Sequence, residues 1–428
     1  MKVGIIGSGG REHSICYQLK KSKKVREIYC FPGNAGTSKI ATNIDIPIDN
    51  FDELKKFCVL NKIQLLIVGP EKPLVEGIVD YFENTDIKIF GPNKIASQLE
   101  GSKIFTKELC EKKKIPTAKF KICKNLLETN DFIQKAAYPL VVKADGLASG
   151  KGVYICKDIS EAKLSVEEIF NGKFGRAEKL LIEEFLDGEE MSYFIISDGK
   201  TFKHFGSAQD HKRVLEGDKG KNTGGMGCYS PSRLLTPILE KKIIETIVLP
   251  TISGLKDLGT TYQGFLYLGL MIKDNCPYLI EFNVRMGDPE CQTILPKLKT
   301  DLFDLFWSCC SGNLNNLKVD FEDKKSICIV LCSKGYPDKI KKRIEIKKLR
   351  NIILKKNYFI FHAGTILIKE KILSNGGRVL NFVSISDDVK KSRENIIKLI
   401  EDLNWENGFF RKDIAYKIIN NENNSWKI

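Results

Sequence analysis

Short apolar runs alternate with stretches of helical periodicity over the first hundred residues. The pattern predicts strands at 3–6, 27–31, 64–68 and 88–90, and helices at 12–21, 51–61 and 75–82. Strands alternating with helices predict a parallel sheet covered by helices on both faces. After residue 100 the pattern changes. A helix is expected over 101–118, closed at Ile115-Pro116 because proline ends helices. Residues 119–187 read as a small α+β unit, with strands at 119–123, 139–143, 153–156 and 179–186 and helices at 130–137 and 160–170. Residues 188–317 read as a larger α+β region with antiparallel hairpins, one of them 266–272 against 278–282. A strand at 326–332 and a helix near 387–402 belong to a last, mixed unit. The expected fold class is multidomain α/β and α+β, with units at 1–100, 101–318 (119–187 forming a subdomain) and 325–428.

Composition adds exclusions. A chain of 428 residues is too long for one core. No apolar run reaches the ~18 residues of a membrane span. The start, MKVGIIGSGG, enters a strand without an apolar leader, which predicts a cytoplasmic protein with no membrane partner. There are 13 cysteines without a CxxC pair and only 4 histidines. That argues against zinc and for free thiols in a reducing compartment. The net charge of +14 comes from lysines in short runs such as KKSKK and KKRIEIKK. No RNP-type aromatic pattern or zinc finger accompanies them, so the charge reads as solvated surface and no nucleic-acid partner is expected.

The glycine-rich loops carry the chemistry. GSGGREH follows the first strand and supplies Gly7, Gly9 and Gly10. The dinucleotide fingerprint would need a third glycine where Glu12 stands, and an acid after the second strand where PGNAG stands. It fails twice, leaving a glycine turn at a helix N-terminus that suits an anion or polar ligand. The second loop, VVKADGLASGKGV, lacks the P-loop spacing and runs into a strand. It reads as a hairpin with a glycine tip, Gly150 included, and with Lys143 and Lys151 placed to cover a triphosphate. In LLIEEFLDGEE, backbone groups at Glu183, Glu184, Phe185 and Leu186 could read adenine, and Glu190 could hold ribose hydroxyls.

YLIEFNVRMGDPE alternates, so Glu281, Asn283 and Arg285 share a face. A carboxylate and an amide two residues apart make a hard-cation site, and Mg²⁺ takes its remaining ligands from water and phosphate. Arg285 on that face can grip a carboxylate or a developing phosphoryl charge. The stretch 208–231 is polar and glycine-rich and reads as a long lid loop carrying Asp210 and His211, the latter as a base or a positioning residue.

Taken in order, a lysine-bearing glycine hairpin, an E-E strand and an E-x-N-x-R strand resemble the ATP-grasp ligases. The strings GSGGREH, KADGLASGKGV, AQDHKR, NTGGMG, EFNVRMGDPE and FHAGT are similar to those of the phosphoribosylamine–glycine ligase family, over essentially the whole chain. The resemblance implies a Rossmann-like N-terminal domain, an ATP-grasp core with a mobile lid, and a small C-terminal domain. It implies that ATP converts glycine to glycyl phosphate, which 5-phospho-β-D-ribosylamine attacks, in the second step of purine biosynthesis. The implied co-substrate is ATP, with Mg²⁺ or Mn²⁺. Lys103 and Lys143 would contact phosphate, Glu281 and Asn283 the metal, and Arg285 the acyl phosphate. The GSGGREH loop with Glu12, alongside Asp288, would face the sugar-phosphate amine. The implied state is a monomer, with a transient contact to the amidophosphoribosyltransferase that makes this labile amine. The alternatives are another ATP-grasp ligase or a biotin-dependent carboxylase acting on bicarbonate. Two departures stand out: Gly269 lies near where many such enzymes place a second acidic metal ligand, and Lys221 replaces a usual proline in the lid.

Overall fold

A computed structural model describes residues 1–147, 152–175 and 178–422. The first hundred residues build a five-stranded parallel sheet in the order Thr42–Asn43, Glu27–Pro32, Lys2–Gly7, Leu65–Val68, Lys88–Phe90. The central runs are apolar because both faces are covered. Val3, Ile5, Ile6, Leu65, Leu66 and Ile67 are all buried. Strand order reverses beside Lys2–Gly7, and crevices at such reversals are where α/β sheets take ligands. The GSGG turn opens there, at the N-terminus of the helix Gly10–Leu19. The helix expected at 75–82 is broken at Gly77, whose φ of +96° ends Glu71–Glu76 before Ile78–Tyr81 begins.

A larger antiparallel sheet joins the rest. Its path runs Cys276–Asn283, Gln263–Lys273, Glu189–Asp198, Phe202–Asp210, Gly227–Ser230, Lys325–Ser333, Arg378–Ser386, Tyr358–His362. The expected hairpin turns at Asp274 and Asn275, both in the left-handed region that tight two-residue turns require. The polar stretch 208–231 is not one long loop. The strand Phe202–Asp210 runs into it, Arg213–Leu215 pairs with Lys219–Asn222, and Gly227–Ser230 lies fully buried within the sheet. The sheet passes without interruption from Gly227–Ser230 to Lys325–Ser333, so the last hundred residues share a framework with the core.

Residues 120–184 carry their own four-stranded sheet, Phe120–Cys123, Leu180–Glu184, Leu140–Ala144, Val153–Cys156. Its helices Leu126–Lys135 and Ile159–Phe170 close a separate apolar core around Ile133, Val142, Val166 and Ile169. Among the described residues no helix is long and apolar enough to cross a membrane.

Buried histidines clasp the N-terminal unit and the polar hairpin to the C-terminal segment. The main-chain N–H of His362 donates to His13 Nδ1 at 2.8 Å, and Asn34 Nδ2 donates to the His362 carbonyl at 2.9 Å. The N–H of Ala415 donates to His211 Nε2 at 3.2 Å. Burial, with Lys39 nearby, holds His13 down to about 3. Burial holds His211 down to about 4, with Arg411 adding to it. Burial and the neighbouring His13 push His362 well below its ordinary value. These rings stay neutral when folded and take a proton when unfolded, so stability falls as pH drops below about 6.5. Each contributes about 1.4 kcal/mol per pH unit, roughly 4 kcal/mol for the three by pH 5.5. Glu100 and Asp210, whose proton affinities are raised in the fold, work the other way over the same range. The check is therefore a comparison: His13→Gln or His211→Gln should lessen the loss of urea midpoint between pH 7 and pH 5.5. An unchanged pH dependence in those variants would mean that the rings titrate freely.

Candidate active site

A cleft of about 600 Å³ lies between the three units, and residues from all of them line it. At its lid end, Lys143 on Leu140–Ala144 sets its Nζ 2.8 Å from Glu183 Oε1. Lys107, on the helix Lys103–Lys113, reaches the same oxygen at 3.3 Å. All three side chains are at most 6% exposed. Burial pulls Lys107 below its ordinary value, with Glu183 opposing. Lys103 Nζ donates to the Gly146 carbonyl at 2.9 Å, tying the helix to the glycine hairpin. Gly150 and Lys151 of that hairpin lie outside the described residues. Lys107 escaped the sequence reading, although its spacing of four from Lys103 placed both on one helical face.

Glu184, Phe185 and Leu186 line the cleft at the end of Leu180–Glu184, where sheet pairing stops. The Glu184 carboxylate is turned back, accepting the Lys119 N–H at 2.9 Å, so main chain is what this stretch offers a base. Glu190 pairs with Lys212 Nζ at 2.7 Å, and Lys212 holds its carboxyl below the usual range.

Glu281 and Asn283 line the cleft. The register slips at Gly269/Leu270 opposite them, a bulge of the sort that re-aims side chains beside active sites. A Cβ on Gly269 would stand 3.1 Å from Glu281 Cγ, so the bare glycine leaves the carboxylate room. Among the described residues neither side chain has a protein hydrogen bond or ion pair, and no cluster of three His, Cys, Asp or Glu stands ready for a metal. Two uncommitted hard oxygens fit a divalent cation that takes its other ligands from phosphate and water.

Arg285 follows, with Nη2 2.8 Å from Glu100 Oε1 and Nε 3.2 Å from Glu71 Oε2. Burial opposes charge on Glu71, but Arg285 and Arg11 hold its carboxyl down to about 2. Burial pushes Glu100 up to about 7 in spite of Arg285. Neither acid carried a local signature in the sequence.

At the far end Gly7 has φ +121°, and a Cβ there would fall 2.7 Å from the Glu12 carboxyl carbon. Glu12 braces the loop: its oxygens accept the Gly9 N–H and Arg11 Nε, each at 2.6 Å. The Arg11 N–H donates to Asp288 Oδ2 at 3.3 Å. Arg378, unforeseen in the sequence, approaches Asp288 Oδ1 at 3.3 Å and donates to the Gly224 carbonyl. Burial opposes the Asp288 charge, and Arg378 with Arg11 lowers its carboxyl overall.

Two expected residues stand off the cleft. Gly10 packs against Asn381 and Gln292, where a Cβ would come within 2.4 Å of each amide nitrogen. His211 is 2% exposed, with its ring between the Gly227 carbonyl and the Ala415 N–H. Asp210 and Lys212 line the cleft and His211 does not, as alternation along an extended chain dictates. His211 holds the hairpin to the C-terminal segment.

A small α/β subdomain with its own core, presenting a buried lysine toward a strand that offers two hard oxygens, and joined to a ligand crevice of a parallel sheet, is the architecture of an ATP-grasp ligase. Comparison with known proteins narrows the class. Models of the phosphoribosylglycinamide synthetase N domain, ATP-grasp (A) domain and C domain match residues 1–100, 101–291 and 326–417. The phosphoribosylamine–glycine ligase of Caldanaerobacter subterraneus subsp. tengcongensis is 44% identical over 97% of this chain and 99% of its own. The crystal structure of the Thermotoga maritima phosphoribosylamine–glycine ligase superposes with a TM-score of 0.84 at 33% identity, covering 97% and 100% of the two chains. A biotin carboxylase domain from Hydrogenobacter thermophilus, crystallised with magnesium ADP and bicarbonate, shares the fold alone (TM-score 0.71, 17% identity, 100% and 99% covered). The chain belongs to the phosphoribosylamine–glycine ligase family.

Proposed function

We propose that this single cleft carries both halves of the family's reaction, the ATP-dependent ligation of glycine to 5-phospho-β-D-ribosylamine. Main chain at Glu184, Phe185 and Leu186 reads adenine, and Glu190 holds the ribose. Lys103 and Lys143 hold the triphosphate, with the hairpin tip at Gly150 and Lys151 above it. A divalent cation, Mg²⁺ or Mn²⁺, held by Glu281 and Asn283 would neutralise charge on the transferred phosphoryl group. A carboxylate is a poor electrophile, and phosphorylation gives it a leaving group. Arg285, pinned by Glu71 and Glu100, steadies the acyl phosphate and adds fixed positive charge where negative charge gathers. The amine binds against Gly7, Gly9 and Asp288, with Arg11 and Arg378 drawing its phosphate.

One observation carries this reading. All of these groups line one cleft, and they are linked neighbour to neighbour by charge: Lys143 and Glu281 both act on Lys103, Glu281 and Arg285 on Glu100, and Arg285 and Asp288 on Arg11 of the glycine loop. Catalysis is then positioning and charge neutralisation, and none of the 13 thiols is required. The 13 cysteines are all unbonded, which supports a reducing, cytoplasmic setting.

ADP release with ATP, glycine and a divalent cation should depend on freshly generated phosphoribosylamine. Sustained release without the amine, or with another carboxylate in place of glycine, would overturn the acceptor assignment and leave the ATP-binding half standing.

A further inference from the structure

Making an amide from an amine obliges the nitrogen to give up a proton. The groups assigned so far hold phosphates, cation and sugar, and none receives it. Asp210 lines the cleft at the end of Phe202–Asp210. Among the described residues its buried Oδ1 has no hydrogen-bond partner, a condition rare in folded proteins and one that calls for a reason. Gly225 explains its placement. With φ +113°, a Cβ there would fall 2.8 Å from Asp210 Oδ1 and 2.6 Å from Pro289 Cδ. The bare glycine lets Asp210 stand against the turn that carries Asp288, at the amine end of the cleft.

The charges around Asp210 are already committed. Glu290 Oε1 accepts Ser192 Oγ at 2.9 Å. Lys212 is paired with Glu190 at 2.7 Å. Arg378 is turned to Asp288 and the Gly224 carbonyl. Burial and the nearby Glu290, with Glu190 adding, raise the proton affinity of Asp210 well above that of an ordinary carboxyl; Lys212 and Arg378 oppose the rise. Such a group is a stronger base than an exposed aspartate.

We propose that Asp210 accepts the proton of the attacking amine. The inference rests on the glycyl phosphate reading above. The nitrogen lone pair forms the C–N bond to the glycyl carbonyl carbon. The bond from that carbon to the phosphate oxygen breaks, and its electron pair leaves on inorganic phosphate. The N–H proton passes to the Asp210 carboxylate, which later yields it to water.

The test separates the two halves of the reaction. Migration of ¹⁸O from the β–γ bridge of ATP, measured with glycine and without amine, reports glycyl phosphate formation. Asp210→Asn should keep this exchange within a few-fold of the unmodified enzyme. Its amide formation should fall about 10²- to 10⁴-fold, and the acidic limb of its kcat profile should vanish. Asp210→Glu, which restores a carboxylate, should recover part of the rate and the limb. Near-normal amide formation by Asp210→Asn would overturn the proposal. So would loss of exchange in both variants, which would place Asp210 in the first half or in the fold. Absence of exchange in the unmodified enzyme would instead overturn the glycyl phosphate reading.

Discussion

Glu281→Gln should lower ATP turnover about 10³-fold and leave the protein as stable as before. Among the described residues the Glu281 side chain has no hydrogen bond or ion pair, and its methylene stands above the bare Gly269. Removing its charge breaks no internal bond. Its charge repels Glu100 and attracts Lys103 and Arg285, so removing it gives up about as much as it relieves. Loss of charge leaves Asn283 as the only assigned cation ligand, and a neutral amide cannot replace a carboxylate. Two measurements decide it: ADP release at saturating ATP and glycine with Mg²⁺ or Mn²⁺ titrated, and the urea midpoint. Full turnover at ordinary cation levels would remove Glu281 from the chemistry. A large fall in the midpoint would give it a structural role.

The parts of this molecule readable from sequence are those whose physics is local. The parallel strands announce themselves because burial on both faces demands continuous apolar runs, as in Leu65–Val68. Glu281 and Asn283 are readable because two hard oxygens on one strand face make a site by themselves. Gly227–Ser230 was not readable as a strand. It holds one large apolar residue, and its place is fixed by pairing with Ser326–Ile329, about a hundred residues away in sequence. Long-range pairing overrides local propensity. Arg378 failed for the same reason: its partners Asp288 and Gly224 are 90 and 154 residues distant. His211 reads as a base or a positioning residue from its place beside Asp210 in a polar, glycine-rich stretch, yet strand alternation turns it into the packing between hairpin and C-terminal segment.

Glu183→Ala should be the most destabilising single change near the cleft, at about 3–5 kcal/mol. The residue sits on a lid strand, Leu180–Glu184, and answers Lys143 from the lid and Lys107 from the main body. The triad therefore fastens the lid as well as placing Lys143 over the cleft. Truncation leaves two buried ammonium groups facing each other without a counter-charge. Lys107 keeps a hydrogen bond to Thr117, and among the described residues Lys143 keeps none, so the protein will shed protons to relieve the conflict. Burial already lowers Lys107 and only Glu183 substantially opposes it. A lysine depressed in the folded state binds more protons when unfolded, so stability of the variant should rise with pH between about 7 and 10. The unmodified protein should gain less over that range. Urea midpoints at both pH values, with protease susceptibility of the lid as a local readout, test this directly. Glu183→Gln keeps the volume and one acceptor and should lose less. Equal, pH-independent losses in the two variants would mean that shape, not charge, is what Glu183 provides, and the lid would then be held by its own apolar core around Ile133 and Val142.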